Sequence, residues 1–384
     1  MNVYVRQLAR ELALLGCEVD VFTRRADTRS REIVLDDGVR FIQVDAGPPR
    51  AVRKADLPLY LLDLTSAITK FARRYRRQYD VIHSHYWLSG VVGVDLRDRF
   101  DAALVHMFHT LSRLKERYLG LSDPNDTVSR LGGERLVLNA ADVIVGATEG
   151  EQTDIEDLYG SFPGTFAVLP PGVDTELFFP RDKLASRARL GIDADHVVLF
   201  AGRLDPIKGL DSLLAVTARL RERLPGRVKV IVVGGQVGGG PSLRAYQRAA
   251  TAHGVDDIVE FRGTVPQRRL PAYYSAADVL AVPSAYESFG MAALEAMACG
   301  TPAVAFRVGG LATTIADGRT GFLASPGSFD SYLDRLATAL TSDLDRMGHC
   351  ARMTALRYRW PAIARRTLDL YRSTAGAVAE SHGA

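Results

Sequence analysis

The chain has 384 residues, of which 47% are hydrophobic and 24% charged, enough apolar material for two domains of ordinary size. Lysine and arginine number 48 against 45 aspartates and glutamates, and a formal charge of +3 is too small to argue for nucleic acid as a partner. The three cysteines, Cys17, Cys299 and Cys350, are too scattered for a disulfide framework or a metal site and suit a reducing cytoplasm; no apolar run reaches the roughly 18 residues of a membrane span.

The chain opens with "MNVYVRQLARELALLG". Val5, Leu8, Leu12 and Leu15 share one helical face, Gly16 ends the helix, and Arg6, Arg10 and Glu11 argue against a signal peptide. Strands are expected at "EVDVFTR" (18–24), "VRFIQVDAG" (39–47), "DVIHSHYW" (80–87), "ALVHMFHT" (103–110), "DVIVGAT" (142–148) and "FAVLPPG" (166–172). Helical patterns fall between them at 61–79 and 128–141. After a hinge at 170–182, with three prolines and a glycine, the pattern restarts. The second run of strands is "HVVLFAGRL" (196–204), "VKVIVVGG" (228–235), "IVEFRGTV" (258–265), "DVLAVPS" (278–284), "TPAVAFRV" (301–308) and "TGFLAS" (320–325). Apolar strands alternating with helices predict an α/β chain of two doubly wound domains, 1–172 and 173–358, and a helix at 359–384 packing back on the first. A doubly wound domain usually begins on a strand. This chain begins on a helix, so its N-terminal domain is expected to lack the first strand and the glycine-rich loop after it.

Two stretches carry chemistry. In "PSAYESFGMAALEAMACGTP" (283–302), Glu287 falls on the loop after a strand, Ser288 is placed to cap the next helix, and Glu295 lies further along it. Two carboxylates on either side of a helix start, where Gly290 permits close approach, suit a ligand with hydroxyls at both ends and phosphates between them: a nucleotide sugar. In "FAGRLDPIKG" (200–209), Arg203 and Lys208 are placed to converge on its diphosphate. Each feature alone reads equally well as solvated surface charge, and their combination in one α/β half gives the signal. "GGQVGGGP" (234–241) is a weak dinucleotide signal, because no acidic ribose ligand follows at the usual distance.

The pairing of "GRLDPIKG" with "PSAYESFGMAALEAMACGTPAVA" resembles the retaining glycosyltransferases of the GT4 family over nearly the whole chain. That resemblance implies the GT-B fold, two facing Rossmann-like domains with a cleft between them. It assigns Arg203 and Lys208 to the donor diphosphate, Glu287 to the donor sugar and Glu295 to the ribose, with Val265, Ser288, Phe289 and Gly290 completing the donor set. His109 in "HTLSRLK", a string that Lys115 completes, resembles the family histidine beside the donor sugar, and with Arg203, Lys208 and Glu287 makes up the catalytic set.

Within GT4, "MNVYVRQLARELALLGCEVDVFTR", "HSHYWLSG", "HTLSRLK" and "LNAADVIVGAT" resemble the D-inositol-3-phosphate glycosyltransferases of mycothiol biosynthesis. These move N-acetylglucosamine from UDP-GlcNAc to an inositol phosphate. By position, Asn2, Lys54, Tyr86, Thr110 and Arg130 then hold the acceptor. Two cations with neutral hydroxyls are what a phosphomonoester needs.

The resemblance implies no cofactor for transfer and no metal ligand in the site. The family's Mg2+ position near "YSAAD" carries Ser275 where relatives have arginine, so an ion there would be non-catalytic. The expected partners are a UDP-sugar and a small phosphorylated acceptor in the cytoplasm, with monomer and homodimer both open. Competing readings are a sucrose-phosphate-synthase-like enzyme, an aminoglycoside or other natural-product glycosyltransferase, a catalytically impaired sugar-nucleotide-binding protein, and an NAD-dependent oxidoreductase.

Overall fold

The structure is a computed structural model that describes residues 2–28, 32–34, 38–119, 128–235 and 241–383. It divides into two compact units, one made of Met1–Gly172 with Trp360–Ala384 and the other of Val173–Arg359.

The first unit runs α1 (Asn2–Leu14), β1 (Val19–Arg24), β2 (Glu32–Val34), β3 (Val39–Val44), α2 (Leu61–Arg74), β4 (Val81–His85), α3 (Trp87–Phe100), β5 (Ala103–Met107), α4 (Ser112–Leu119), α5 (Val128–Ala140), β6 (Val143–Gly146), α6 (Glu149–Tyr159) and β7 (Thr165–Val168), and is joined by the C-terminal helix Trp360–Gly383. As anticipated, a helix comes first, and Gly16, at φ +92°, stands just beyond its end. β4 to β7 form one parallel sheet in chain order. β5 and β6 are buried at every position because helices cover both of their faces. β1, β3 and β2 form a separate sheet in which β1 pairs parallel with β3, Val19 opposite Val39, and β2 is antiparallel. The sheet of this unit is therefore in two pieces, with β1 and β4 at edges.

Two cores hold these layers. Tyr4, Leu8 and Leu12 of α1 pack with Trp360 and Ile363 against Val105, Met107, Val143 and Val145. Ile68 of α2 with Val92 and Leu96 of α3 packs on Ile42 and Val44. The C-terminal helix is thus part of the first unit's core. The backbone at Gly172 is so close to the Trp360 ring that a Cβ there would come within 2.4 Å of it.

The second unit contains α7 (Lys183–Leu190), β8 (His196–Ala201), α8 (Leu210–Arg223), β9 (Val228–Val233), α9 (Pro241–Ala252), β10 (Val259–Gly263), α10 (Leu270–Ala276), β11 (Val279–Val282), α11 (Met291–Ala298), β12 (Ala303–Phe306), α12 (Leu311–Thr314), β13 (Gly321–Ala324), α13 (Phe329–Leu340) and α14 (Leu344–Ala355). The C-terminal helix is α15 (Trp360–Gly383). All six strands are parallel, in the order β10-β9-β8-β11-β12-β13. Strand order reverses between β8 and β11. Ligands of open α/β sheets bind at such a switch point, outside the carboxyl ends of the strands.

Candidate active site

The loops that leave β8 and β11 are the two stretches singled out in the sequence, and they meet at the switch point. Gly209, at φ +69°, ends the first loop so close to the second that a Cβ would lie 1.9 Å from the Pro283 carbonyl oxygen. The Ala285 amide donates back to the Ile207 carbonyl at 2.8 Å. This contact brings Lys208 to Glu287: Nζ and Oε1 are 2.5 Å apart, and Ser284 Oγ donates to the same oxygen at 3.1 Å. Arg203 does not share this contact. It is 78% exposed, 3.4 Å from Asp205, whose other oxygen accepts from the Ile207 amide.

One expectation about the Glu287 loop needs correction. Ser288 does not cap the next helix. The N-cap of α11 is Gly290, at φ +88°, with no side-chain cap, because the chain turns into the helix too sharply for a residue with a side chain. A Cβ at Gly290 would come 2.5 Å from Leu311. Phe289 is buried against the Tyr358 ring, so its side chain serves packing. Two glycines without a sequence signal of their own, Gly309 and Gly310, press on this loop. The Gly310 amide donates to the Glu287 carbonyl at 2.8 Å, and a Cβ at Gly309 would lie 2.1 Å from that oxygen.

Glu295 sits in α11 and accepts from the buried Tyr274 hydroxyl at 2.9 Å. Burial pushes its carboxyl up to about 7, against the pull of hydrogen bonds from Tyr274 and Gln267. Val265, partly exposed, follows β10; its neighbour Thr264 donates to the Gly235 carbonyl at 2.6 Å. Gly234 approaches the β8 loop so closely that a Cβ would meet the Gly202 carbonyl oxygen at 1.6 Å. The loops after β8, β9, β10 and β11 therefore form one cluster. Most of the glycine-rich run at 234–241 lies outside the described residues, as does the Lys115 side chain. Ser275 is buried, with its Oγ accepting from the Arg181 amide. Among the described residues no group of three or more His, Cys, Asp or Glu side chains is arranged to hold a metal ion.

In the first unit the structure brings four of the five proposed acceptor residues together. Tyr86 stands at the carboxyl end of β4 with φ +73°, rare for a residue with a side chain. The Lys54 ammonium lies 5.5 Å from its ring centroid and the Arg130 guanidinium 5.4 Å. The buried Tyr86 hydroxyl has no hydrogen-bond partner among the described residues. Arg130 Nη2 donates to the Thr110 carbonyl at 3.1 Å, so the Thr110 backbone makes that contact while its side chain stays exposed. Asn2, exposed at the start of α1, borders with His83 and His85 a cavity beside β4.

Arg130 is not solvated. It is 2% exposed and paired at 2.8 Å with the fully buried Glu134, whose oxygens also accept from the Ser112 amide, the Ser112 hydroxyl and the Tyr159 hydroxyl. In the sequence the one visible signal of this network is a glutamate four residues after an arginine on a helix.

His109 follows β5 at φ +58°. Its Nε2 is 3.0 Å from His85 Nδ1, and its ring stands edge-on to Tyr4. Burial lowers all four histidines of β4, β5 and the following turn: His83 to about 3, His109 to about 4, and His85 and His106 well below the usual range. His109 is therefore a neutral imidazole at pH 7.

This geometry agrees with comparison to known proteins. Residues 1–172 match the glycosyl transferase 4-like domain and residues 182–355 match glycosyl transferases group 1. The chain belongs to the GT4 family of glycosyltransferases and has the GT-B fold. Among its relatives, a D-inositol 3-phosphate glycosyltransferase from Corynebacterium aurimucosum is 42% identical over 379 residues, 97% of this chain and 90% of that protein. A protein of the same name from Kribbella flavida is 42% identical over 382 residues, again 97% of this chain and 90% of its own. A sucrose-phosphate synthase from Thermosynechococcus elongatus, 32% identical, superposes with a TM-score of 0.87 over 98% of this chain and 94% of that one. No helix among the described residues is long and apolar enough to cross a membrane.

Proposed function

We propose that this glycosyltransferase moves N-acetylglucosamine from UDP-GlcNAc to an inositol phosphate, with retention at the anomeric carbon. The observation that carries the acceptor reading is the pair of cations, Lys54 and Arg130, on one tyrosine ring whose buried hydroxyl lacks a partner among the described residues. A phosphomonoester there gains two charges and a phenol donor. The names of the relatives support the same acceptor.

Donor binding falls to the switch-point loops. Lys208 and Arg203 take the diphosphate, Glu287 the sugar hydroxyls and Glu295 the ribose. Positive charge on the diphosphate stabilises it as the glycosidic bond breaks, when its negative charge grows. No carboxylate is assigned as nucleophile, so the acceptor hydroxyl attacks from the face the phosphate leaves, and a phosphate oxygen takes its proton. His109 stays neutral and lines the reacting centre. No metal is assigned a step.

The test is a product assay that crosses UDP-GlcNAc and UDP-glucose with inositol phosphate, free inositol and fructose 6-phosphate. The expected result is transfer from UDP-GlcNAc to inositol phosphate and little to free inositol. The likeness to sucrose-phosphate synthase favours fructose 6-phosphate as second choice, and its selection in this assay overturns the inositol reading. Lys54→Ala, at an exposed position, should raise the KM for inositol phosphate about 10- to 100-fold, as expected for one charge-assisted hydrogen bond, and leave UDP affinity unchanged.

A further inference from the structure

The carboxylates assigned to the donor are held in different ways. Glu287 has the Lys208 ammonium beside it. Glu295, partly buried in α11, forms no ion pair among the described residues, and its partners there are two neutral donors, Tyr274 and Gln267. The charged and titratable groups nearest to it are occupied elsewhere. Cys299, one turn further along α11, is a buried thiol pushed up to about 12. Of the two cations that face that thiol, Arg352 of α14 donates to the Phe178 and Ala298 carbonyls at 2.8 and 2.5 Å, and Arg181, ahead of α7, lies 5.2 Å from the Phe179 ring centroid.

Tyr274 is fixed on several sides. It is 1% exposed, the Phe178 ring stands edge-on to it at 6.0 Å, and Thr301 Oγ1 donates to its carbonyl at 2.7 Å. Phenylalanine would fill the same space. What the ring adds is one hydroxyl, held neutral by burial and aimed at Glu295 Oε2 at 2.9 Å. An ionised carboxylate has about four acceptor sites. Tyr274 and Gln267 take two and leave about two, the number that the 2′,3′-diol of a ribose fills.

We propose that Tyr274 is a positioning residue for the donor: its hydroxyl, with Gln267 beside it, holds the Glu295 carboxylate in place to accept from the ribose hydroxyls. This rests on the assignment of Glu295 to the ribose. A consequence follows for pH. Burial favours the neutral acid, and a protonated carboxyl loses acceptor sites that the diol needs. Glu295 stands at about 7 with both donors in place, and removing either raises it further. The nucleotide favours the ionised form, so its affinity is full above that value and falls as pH drops through it. From this group alone, binding at pH 6 should be about tenfold weaker than at pH 8.

The test is calorimetry with UDP from pH 6 to pH 9 on the parent chain, Tyr274→Phe, Gln267→Ala and Glu295→Gln. The terminal phosphate of UDP titrates in part of this range, but equally for every protein, so each profile is read against that of Glu295→Gln. The parent's affinity should level off above about pH 7. Tyr274→Phe should level off about one pH unit higher, bind about fivefold more weakly at pH 7, and approach the parent at pH 9. Gln267→Ala, at an exposed position, should move the same way, and it decides the matter if Tyr274→Phe does not fold. A Tyr274→Phe chain that is weaker by the same factor at every pH marks a packing role and overturns the proposal. So do unmoved profiles in both variants; Glu295→Gln still binding UDP more weakly than the parent would then leave the ribose assignment standing. Glu295→Gln with the parent's affinity and profile overturns the ribose assignment and the proposal together.

Discussion

Lys208 and Glu287 are each other's counter-ion at 2.5 Å, although one is assigned to the donor's diphosphate and the other to its sugar. The donor must therefore part them. Glu287→Gln keeps the shape and removes the competing charge. It should leave UDP affinity equal or stronger by calorimetry while the transfer rate falls; a weakened UDP would remove Lys208 from the diphosphate. Arg130 calls for a different choice of variant. Its alanine substitution would strand the buried Glu134, and losing one partner of a buried ion pair costs about 3–5 kcal/mol. Arg130→Ala should melt far lower than Lys54→Ala in a thermal scan, so loss of activity in it says nothing about phosphate. The sequence marked Lys54 and Arg130 as a pair only through the family resemblance. No spacing rule joins two residues so far apart in the chain, and the Tyr86 ring that brings them together is visible only in three dimensions.

At the scale of elements, every strand expected from apolar runs is present, with no end more than four residues from its expected place. Buried parallel strands write themselves as continuous valine and isoleucine runs, as "VKVIVV" does. β2, three residues in antiparallel pairing, was missed because so short a run carries no periodicity. The start of α11 was misread for a related reason: a serine before a helix usually caps it, yet here a glycine takes the turn under Leu311, a tertiary constraint. The strand ends also bury histidines, and this gives a pH prediction. An unfolded histidine titrates near 6.5, whereas His83 and His109 are held at about 3 and about 4, and His85 and His106 well below. Between about pH 6.5 and 4 the unfolded chain binds more protons, so the first unit should lose stability as pH falls. Glu151 of the same unit, raised to about 7, works the other way between about 4.5 and 7, one group against four. Glu295, also at about 7, should make the second unit slightly less stable as pH rises through that range. Calorimetry from pH 5 to pH 7 should show the first unit's transition moving up; a transition that stays in place would mean that these imidazoles are wet.

For the whole molecule, the division into two α/β units was legible because the strand pattern restarts after Gly172. The division of the first unit's strands into two sheets with a cavity between β1 and β4 could not be read from the sequence, since a cavity is a property of packing. The return of α15 to the first unit rests on Trp360, buried beside Tyr4 and Gly172. Trp360→Ala should cost about 3–5 kcal/mol, read as a lower first-unit transition with the second unit's unchanged. If both units melt earlier by the same amount, the tryptophan is not specific to the first.

That helix also sets an order in time. A ribosome delivers residues 1–172 first, but the piece that completes their core, the helix that starts at Trp360, emerges last. At about 5–20 residues per second, the intervening unit takes about 10–40 s to make. During that interval the part of this core that α15 covers, where Tyr4 meets Trp360, lacks its partner. The second unit is contiguous in sequence and can close first. A stop codon anywhere before Trp360 therefore takes away part of the core that the beginning of the chain is built on.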